Sequence, residues 1–405
     1  VALAVAAALP GLPALAGGEP TVSARVWAAP EGTATRRDTP FAGAADLARV
    51  GKDAGRAEAV VRLEVHPLTL EASLRAVTDQ GGDTETRLVA TEAYQELDAA
   101  GQHFTLGKKV TSWDVAFGYR PLDVVQQERR LAFRPFALEG VPQLAWEWLD
   151  ERWDVTLVWA EPLQGRRAMP VHDESLAARV FGRLGPADLH VVTRWSERTR
   201  TQAGAGLAWV ATDALELHGS ALWQERRERV PRPRRAPDGG PLSRTPGPPE
   251  VRHGTVAAVA GFTFTPGLGL SLLGEAWLDP GGDGAATWRD RRRLAEEQRA
   301  AGEAGAPPAA VAGNLAWGLQ AFDRQSLLRE NLLLRASATE GRWSPAVDWL
   351  LTPADRGWVL TGACAWQGER LRLEGGVRLL GGPPGAAYRL APGWGAFYVA
   401  TEWRG

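Results

Sequence analysis

Few residues in this chain are spaced for covalent or metal chemistry. The six histidines, His66, His103, His172, His190, His218 and His253, are scattered without ligand spacing, and there is no Gly-x-Ser-x-Gly or phosphate-binding loop. The nearest approach to a nucleophile pair is His103 with Ser112 or Asp114, and nothing orients it. Asp279, Asp283 and Asp290 lack the regular pattern of a calcium loop. A lone Cys364 excludes a disulfide framework and a cysteine metal site. The expectation is a protein that is not an enzyme and holds no metal or cofactor.

What does recur is charge at every second position. Arg62 and Glu64, Glu71 and Arg75, Glu147, Asp154, Arg194, Glu216 with His218, Arg329 and Arg335, Asp348, Arg372 with Glu374 and Arg378, and Glu402 each alternate with apolar neighbours. Such side chains attract and orient ions in water. Arg329, Arg335, Arg372 and Arg378 would form an anion-attracting ladder if they clustered. The plainer reading is that they pair with acids such as Glu374 and Glu402 and only solvate a wall.

The elements that carry these residues have period two. Leu189, Val191, Thr193 and Trp195 share one face, and His190, Arg194 and Ser196 the other. Leu215, Leu217, Gly219, Ala221 and Trp223 repeat the pattern against Glu216, His218, Ser220 and Gln224. Residues 200–210 give a small-residue version. Alternation over ten residues means a strand with one apolar side. Short turns make neighbours antiparallel. Many segments run nine to twelve residues, the length that crosses a membrane when tilted. The predicted fold is all-β: a transmembrane antiparallel β-barrel of about 18 strands (range 14–18), with short periplasmic turns and long extracellular loops. The long loops are read at 29–56, 111–140, 225–252 and 279–326, all on one side after an upward first strand at 21–28. Within the last, 288–300 reads as a short surface helix, and 225–252 is a basic, Pro-rich stretch without core-forming composition.

Composition agrees. Among 405 residues, 46 Lys and Arg against 48 Asp and Glu give a net charge of −2, so nothing points to nucleic acid. Eighteen tryptophans, many near strand ends, suit two aromatic girdles at membrane interfaces. Residues 1–18 read as a signal-peptide remnant or N-terminal segment, and 19–405 as a single barrel.

The segment between the fifth and sixth strands is too charged for lipid and is expected to fold inward as a constriction loop, with Lys108, Lys109, Trp113, Asp114, Arg120 and Asp123 as its candidate residues. Here a resemblance enters. Gly107-Lys108-Lys109-Val110-Thr111-Ser112-Trp113, followed by Tyr119-Arg120-Pro121-Leu122-Asp123-Val124, resembles a motif of large Gram-negative outer-membrane barrels related to alginate-export porins. Leu332–Thr339 before Trp343-Ser344-Pro345, and Leu215-Glu216-Leu217-His218-Gly219, are similar too. Lys109 stands where Gln is usual, Asp114 where Gly is, and Arg120 where Asn is. The resemblance implies about eighteen strands, an outer-membrane location, and passage or export of a small or polymeric hydrophilic solute, without naming the cargo. The expected partners are the lipid bilayer, a solute in the lumen and, in the alternative reading, a periplasmic or surface protein held by a non-catalytic scaffold barrel of a secretion, polysaccharide or electron-transfer complex. A barrel enzyme would need converged Ser, His and acid side chains at the rim, and a soluble all-β protein would pack its apolar faces inward.

Overall fold

The structure is a computed structural model and describes residues 20–42, 44, 53–79, 81–128, 133–160, 174–229, 239–242, 250–267 and 269–405. Residues 1–18, and the arginines Arg232, Arg234 and Arg235 of the Pro-rich stretch, lie outside these. Eighteen strands run in chain order: β1 (Thr21–Thr35), β2 (Asp53–Val65), β3 (Leu68–Asp79), β4 (Thr84–Ala99), β5 (Gln102–Lys109), β6 (Val141–Leu149), β7 (Trp153–Ala160), β8 (Ser175–Leu184) and β9 (Ala187–Ser196). They continue with β10 (Arg200–Thr212), β11 (Leu215–Arg229), β12 (Glu250–Gly267), β13 (Leu270–Leu278), β14 (Glu330–Ala338), β15 (Trp343–Thr352), β16 (Gly357–Gln367), β17 (Leu371–Gly381) and β18 (Gly393–Arg404). Each pairs antiparallel with its neighbours in sequence, and β1 pairs with β18, which closes the sheet. Closure leaves no edge strand, so the ladder satisfies the backbone without help from solvent. The predicted antiparallel barrel of 18 strands is the observed fold.

The wall is oily outside; inside, polar and charged residues share the face with an apolar patch around Val158, Val192 and Leu222. On β9, Val191 is 45% exposed and its neighbour Val192 is 1% exposed. The same phase holds around the circumference: Leu88, Leu106, Leu157, Leu176, Trp195, Leu217, Phe397 and Val399 are exposed on the outer face. Glu58, Thr156, Arg194, His218, Glu275 and Glu402 are buried on the inner one. A soluble barrel would invert this arrangement. Val191→Arg should therefore lower the stability of the bilayer-inserted barrel by about 2–4 kcal/mol. Urea titration in vesicles measures it, and an unchanged midpoint would place Val191 outside the bilayer.

The connections divide cleanly by end. At one end the links are two to four residues long: 66–67, 100–101, 150–152, 185–186, 213–214, 268–269, 339–342 and 368–370. At the other, the links 36–52, 110–140, 161–174, 230–249, 279–329 and 382–392 are long, while 80–83, 197–199 and 353–356 are short. β1 extends to Thr35 and β2 starts at Asp53, so the first long link is shorter than the sequence pattern suggested. Ala- and Gly-rich strand ends carry little alternation to read.

The link after β13 holds two helices, α1 (Ala285–Glu303) and α2 (Pro308–Leu319), where one short surface helix was expected. Trp288, Leu294 and Ala295 of α1 and Val311, Leu315 and Leu319 of α2 bury a shared apolar stripe. Their spacing is helical. Pro308 at the first turn of α2 starts it where no N–H is needed. The pair packs on Phe41, Tyr388 and Leu390 from neighbouring long links and on Tyr119 and Ala116 of the segment between β5 and β6. Asp283, at the base of the insertion, binds both Arg291 and Arg324 at 3.0 Å.

Candidate functional site

Between β5 and β6, residues 110–128 and residues 133–140 pack against the inner wall as two arms. The first arm is a turn built on two carboxylates. Asp123 accepts the backbone N–H of Trp113 at 2.7 Å and of Asp114 at 3.0 Å. Asp114 accepts the N–H of Leu122 at 2.5 Å, that of Ala116 at 3.0 Å, and the hydroxyl of Ser220 on β11 at 2.9 Å. Arg120 donates to the Asp114 carbonyl at 2.7 Å and lies 3.2 Å from the Asp123 carboxylate. Burial pushes the Asp123 carboxyl up to about 6 and the Asp114 carboxyl up as well, against the pull of Arg120 and the backbone donors. A folded value above the unfolded one, about 3.9, means that falling pH between about 6 and 4 relieves a cost at Asp123 rather than removing support.

Trp113, Leu122, Val124 and Val125 seat this arm against Val141, Val158, Val192 and Leu222 on the wall. Leu122 fits where β10 presents Gly204 and Gly206: a Cβ on either would stand within 3 Å of its methyl groups. The tip is held by Glu275 of β13, which accepts the N–H of Phe117 at 2.6 Å and of Gly118 at 2.7 Å. The same carboxylate lies 3.0 Å from His218 Nε2. Tyr119 stacks on Trp277, centroids 6.1 Å apart.

The second arm docks on the opposite wall. Glu58 of β2 gathers the Trp27 indole N–H at 3.0 Å, the Ser73 hydroxyl at 2.5 Å, Arg75 at 3.2 Å and the N–H of Ala137 at 3.0 Å. Arg56 donates to the carbonyls of Phe133 at 2.8 Å and Arg134 at 3.2 Å. Arg134 spans to Glu374 and Glu402, both at 3.0 Å, and lies over the Trp27 ring. Phe133 meets Tyr398 edge to face.

Between this arm and the wall from β15 to β18 remains a recess of about 370 Å³, bordered by Arg25, Arg134, Arg372, Arg378 and Arg404 against Asp348, Glu374 and Glu402. Five guanidiniums against three carboxylates leave the border two charges positive.

Of the residues singled out from sequence, Asp348, Arg372, Glu374, Arg378 and Glu402 meet at this recess. Arg335 binds Asp348 at 2.8 Å beside it. Arg372 binds Glu374 at 2.7 Å, Arg378 donates to Thr361 at 3.0 Å, and Glu402 also takes Arg404 at 2.6 Å. Arg62, Glu64 and Glu71 form a separate network with Glu92, and Arg75 joins Glu58. Asp154 pairs with Arg179, Arg194 with Thr199 and Gln202, Glu216 approaches His218 at 3.6 Å, and Glu147 faces His103 and Thr156 in register.

Two expectations are corrected. Arg329 is off the wall: residues 327–329 pair with the Asp279–Asp283 turn, so β14 begins only at Glu330 and the four arginines make no continuous ladder. Lys108 and Lys109 belong to β5 rather than to the loop; they bind Glu139 at 2.6 Å and Glu96 at 2.7 Å. Trp113, Asp114, Arg120 and Asp123 lie in the segment between β5 and β6 and fix its turn, but the charged side chain that this segment presents to the recess is Arg134, flanked there by Phe133 and Pro135. Sequence reasoning missed Arg134, Glu58 and Glu275. Glu58 was detectable, because it is in phase with Arg62 and Glu64 on β2; Glu275 is the one charged residue of β13, so its strand offers no such pattern. Arg134 sits where no period exists.

A closed barrel with an apolar exterior, long links at one end and an inward loop that narrows the lumen is a transmembrane barrel of the porin architecture. Solved structures agree. Pseudomonas aeruginosa OccK8 (OprE) is similar with a TM-score of 0.55 at 10% identity, over 95% of this chain and 98% of that one. Pseudomonas aeruginosa OccK3 (OpdO) gives 0.54 at 10% over 95% of both chains, and OccK5 (OpdH) 0.52 at 9% over 95% and 98%. These structural neighbours are outer-membrane porins, and the likeness is one of fold. No protein-family profile and no curated protein matches the chain in sequence.

Proposed function

We propose that the chain is an outer-membrane channel whose solutes pass the recess beside Arg134, and that the channel favours small hydrophilic anions. One observation carries the reading: between the inward segment and the wall from β15 to β18 lies a recess whose border is net positive. Low-dielectric walls focus such a charge, so anions enter at raised local concentration and an ion-paired lining still lets them leave. The long links then face the exterior and the two- to four-residue turns the periplasm. Export of an anionic polymer is the narrower form of the proposal; it rests on the motif spanning residues 107–124.

The test is reversal potential in planar bilayers under a salt gradient. The triple variant Arg134→Gln, Arg372→Gln, Arg378→Gln changes the border from plus two to minus one and should turn anion preference into weak cation preference. Wild-type selectivity in that variant would remove the recess from the conduction path.

A further inference from the structure

The charge on the border of the recess is unevenly used. Its carboxylates are taken: Asp348 by Arg335, Glu374 by Arg134, Arg372 and the Tyr398 hydroxyl, and Glu402 by Arg134 and Arg404. Arg378 donates to Thr361 and covers the Phe133 ring. Arg25 differs. Its side chain lines the recess, yet among the described residues it has no hydrogen-bond acceptor and no ion-pair partner; Glu402 acts on it only from beyond ion-pair distance. Its place in the sheet makes that costly. Arg25 on β1 stands directly opposite Arg404 on β18. The adjoining residues Ala24 and Gly405 exchange both backbone hydrogen bonds at 2.9 Å. Arg25 and Arg404 are therefore a non-hydrogen-bonded pair, the kind whose Cα atoms come within about 4.5 Å and whose side chains lie closest. Like charges directly opposite destabilise a sheet. Both share the inward phase of the buried Trp27 and Glu402. Glu402 takes the Arg404 Nε at 2.6 Å, which leaves the two terminal nitrogens of Arg404 without a partner among the described residues. β1 starts and β18 ends at the short-turn end, so the pair stands at that end of the recess.

We propose that Arg25 and Arg404 together seat one oxyanion, and that Arg25 is the residue by which the channel holds a dianion such as sulfate or phosphate in preference to a halide. The inference rests on the anion-channel reading and gives that path one defined stop. Two guanidiniums side by side offer forked N–H donors to separate oxygens of the same anion. A halide is a single sphere and cannot use the fork. A dianion also cancels the like charges that the β1–β18 seam sets against each other. Glu402 does not compete for these donors beyond the one it holds, because both its oxygens are bonded, one to Arg134 and one to Arg404. A field spread over the whole border would instead draw every anion by its charge alone and give no one arginine a special part.

The experiment is chloride current through the full chain in planar bilayers, with potassium sulfate added at constant ionic strength and potassium bromide as the comparator. In the wild type, sulfate should lower the current along a single-site curve and bromide should not. Arg25→Gln should raise the half-blocking sulfate concentration at least about tenfold, as the loss of a hydrogen bond between charged groups does. Arg25→Lys keeps the charge without the fork and should fall between the two. Arg183→Gln is the control: Arg183 closes β8 at the same end, faces inward over the Phe181 ring and lies outside the recess, so its half-blocking concentration should stay within twofold of wild type. Heat-dependent gel mobility confirms that each variant is folded. Equal shifts in Arg25→Gln and Arg183→Gln would replace the seat by the general field of the mouth. Anion preference in the wild-type reversal potential without any sulfate block would overturn the seat alone, and absence of anion preference would overturn the channel reading together with it.

Discussion

Replacing residues 113–127 by a Gly-Ser linker should raise single-channel conductance roughly threefold or more, because an unobstructed barrel of eighteen strands encloses a wide aqueous lumen. The graft is geometrically mild. Thr111 donates its N–H to Gln126 Oε1 at 3.1 Å, so the two ends of the excised arm already lie side by side. The wall stays closed without the arm, since every strand pairs with neighbours other than this segment. What goes is the plug formed by Trp113, Leu122, Val124 and Val125. Ion selectivity should fall with the gain in conductance, because a wider path screens the wall charges within about one Debye length, ~8 Å at physiological salt. Conductance steps in a planar bilayer measure both effects. A wild-type step would mean that current bypasses the arm.

How much of this was legible in the sequence follows from which residues report their surroundings every second position. On β9 and β11 a one-residue slip would place Val191 or Leu217 in water and Arg194 or His218 in lipid, so period and register were fixed by the residues themselves. The strand number and the split of links between the two ends came from the same signal. It failed where side chains are small: Ala29 and Ala34 in β1, and Ala57 in β2, hide the strand ends that carry Glu31, Arg56 and Glu58. It also failed where partners are remote. Glu275 and Phe117 are 158 residues apart, and Arg134 and Glu402 are 268 apart. No local pattern encodes such a pairing. The motif around Lys108 and Asp123 straddles two elements: Lys108 and Lys109 close β5, which pairs as far as Lys109 with Val141, and Trp113 to Asp123 follow in the segment beyond it. The arginine ladder broke for a similar reason. Arg329 keeps the right parity for the inner wall, but its backbone is captured by the turn at Asp279.

Glu275→Ala should undock the tip of the first arm while leaving the barrel intact. The carboxylate is 1% exposed and accepts two loop N–H groups and the approach of His218. Hydrogen bonds to a charged group contribute about 1.5–3 kcal/mol each, and two buried N–H groups left without an acceptor cost about 1–3 kcal/mol apiece. Even the lower figures, taken with partial compensation by entering water, exceed the ~1.4 kcal/mol that changes an occupancy tenfold. The remaining contacts hold the base of the arm: Asp114 with Ser220, and Leu122 in its glycine-lined seat, are independent of Glu275. The expected record is therefore a channel that flickers between the wild-type level and a larger one, rather than a uniformly wider pore. Glu275→Gln keeps one acceptor oxygen and should show the larger level at least tenfold less often than Glu275→Ala. His218→Ala removes a neighbour but no acceptor, so its trace should resemble wild type. If Glu275→Ala stays at a single wild-type level, the tip is held by the stacking of Tyr119 on Trp277 and by the helices packed above it, and the carboxylate serves the strand alone.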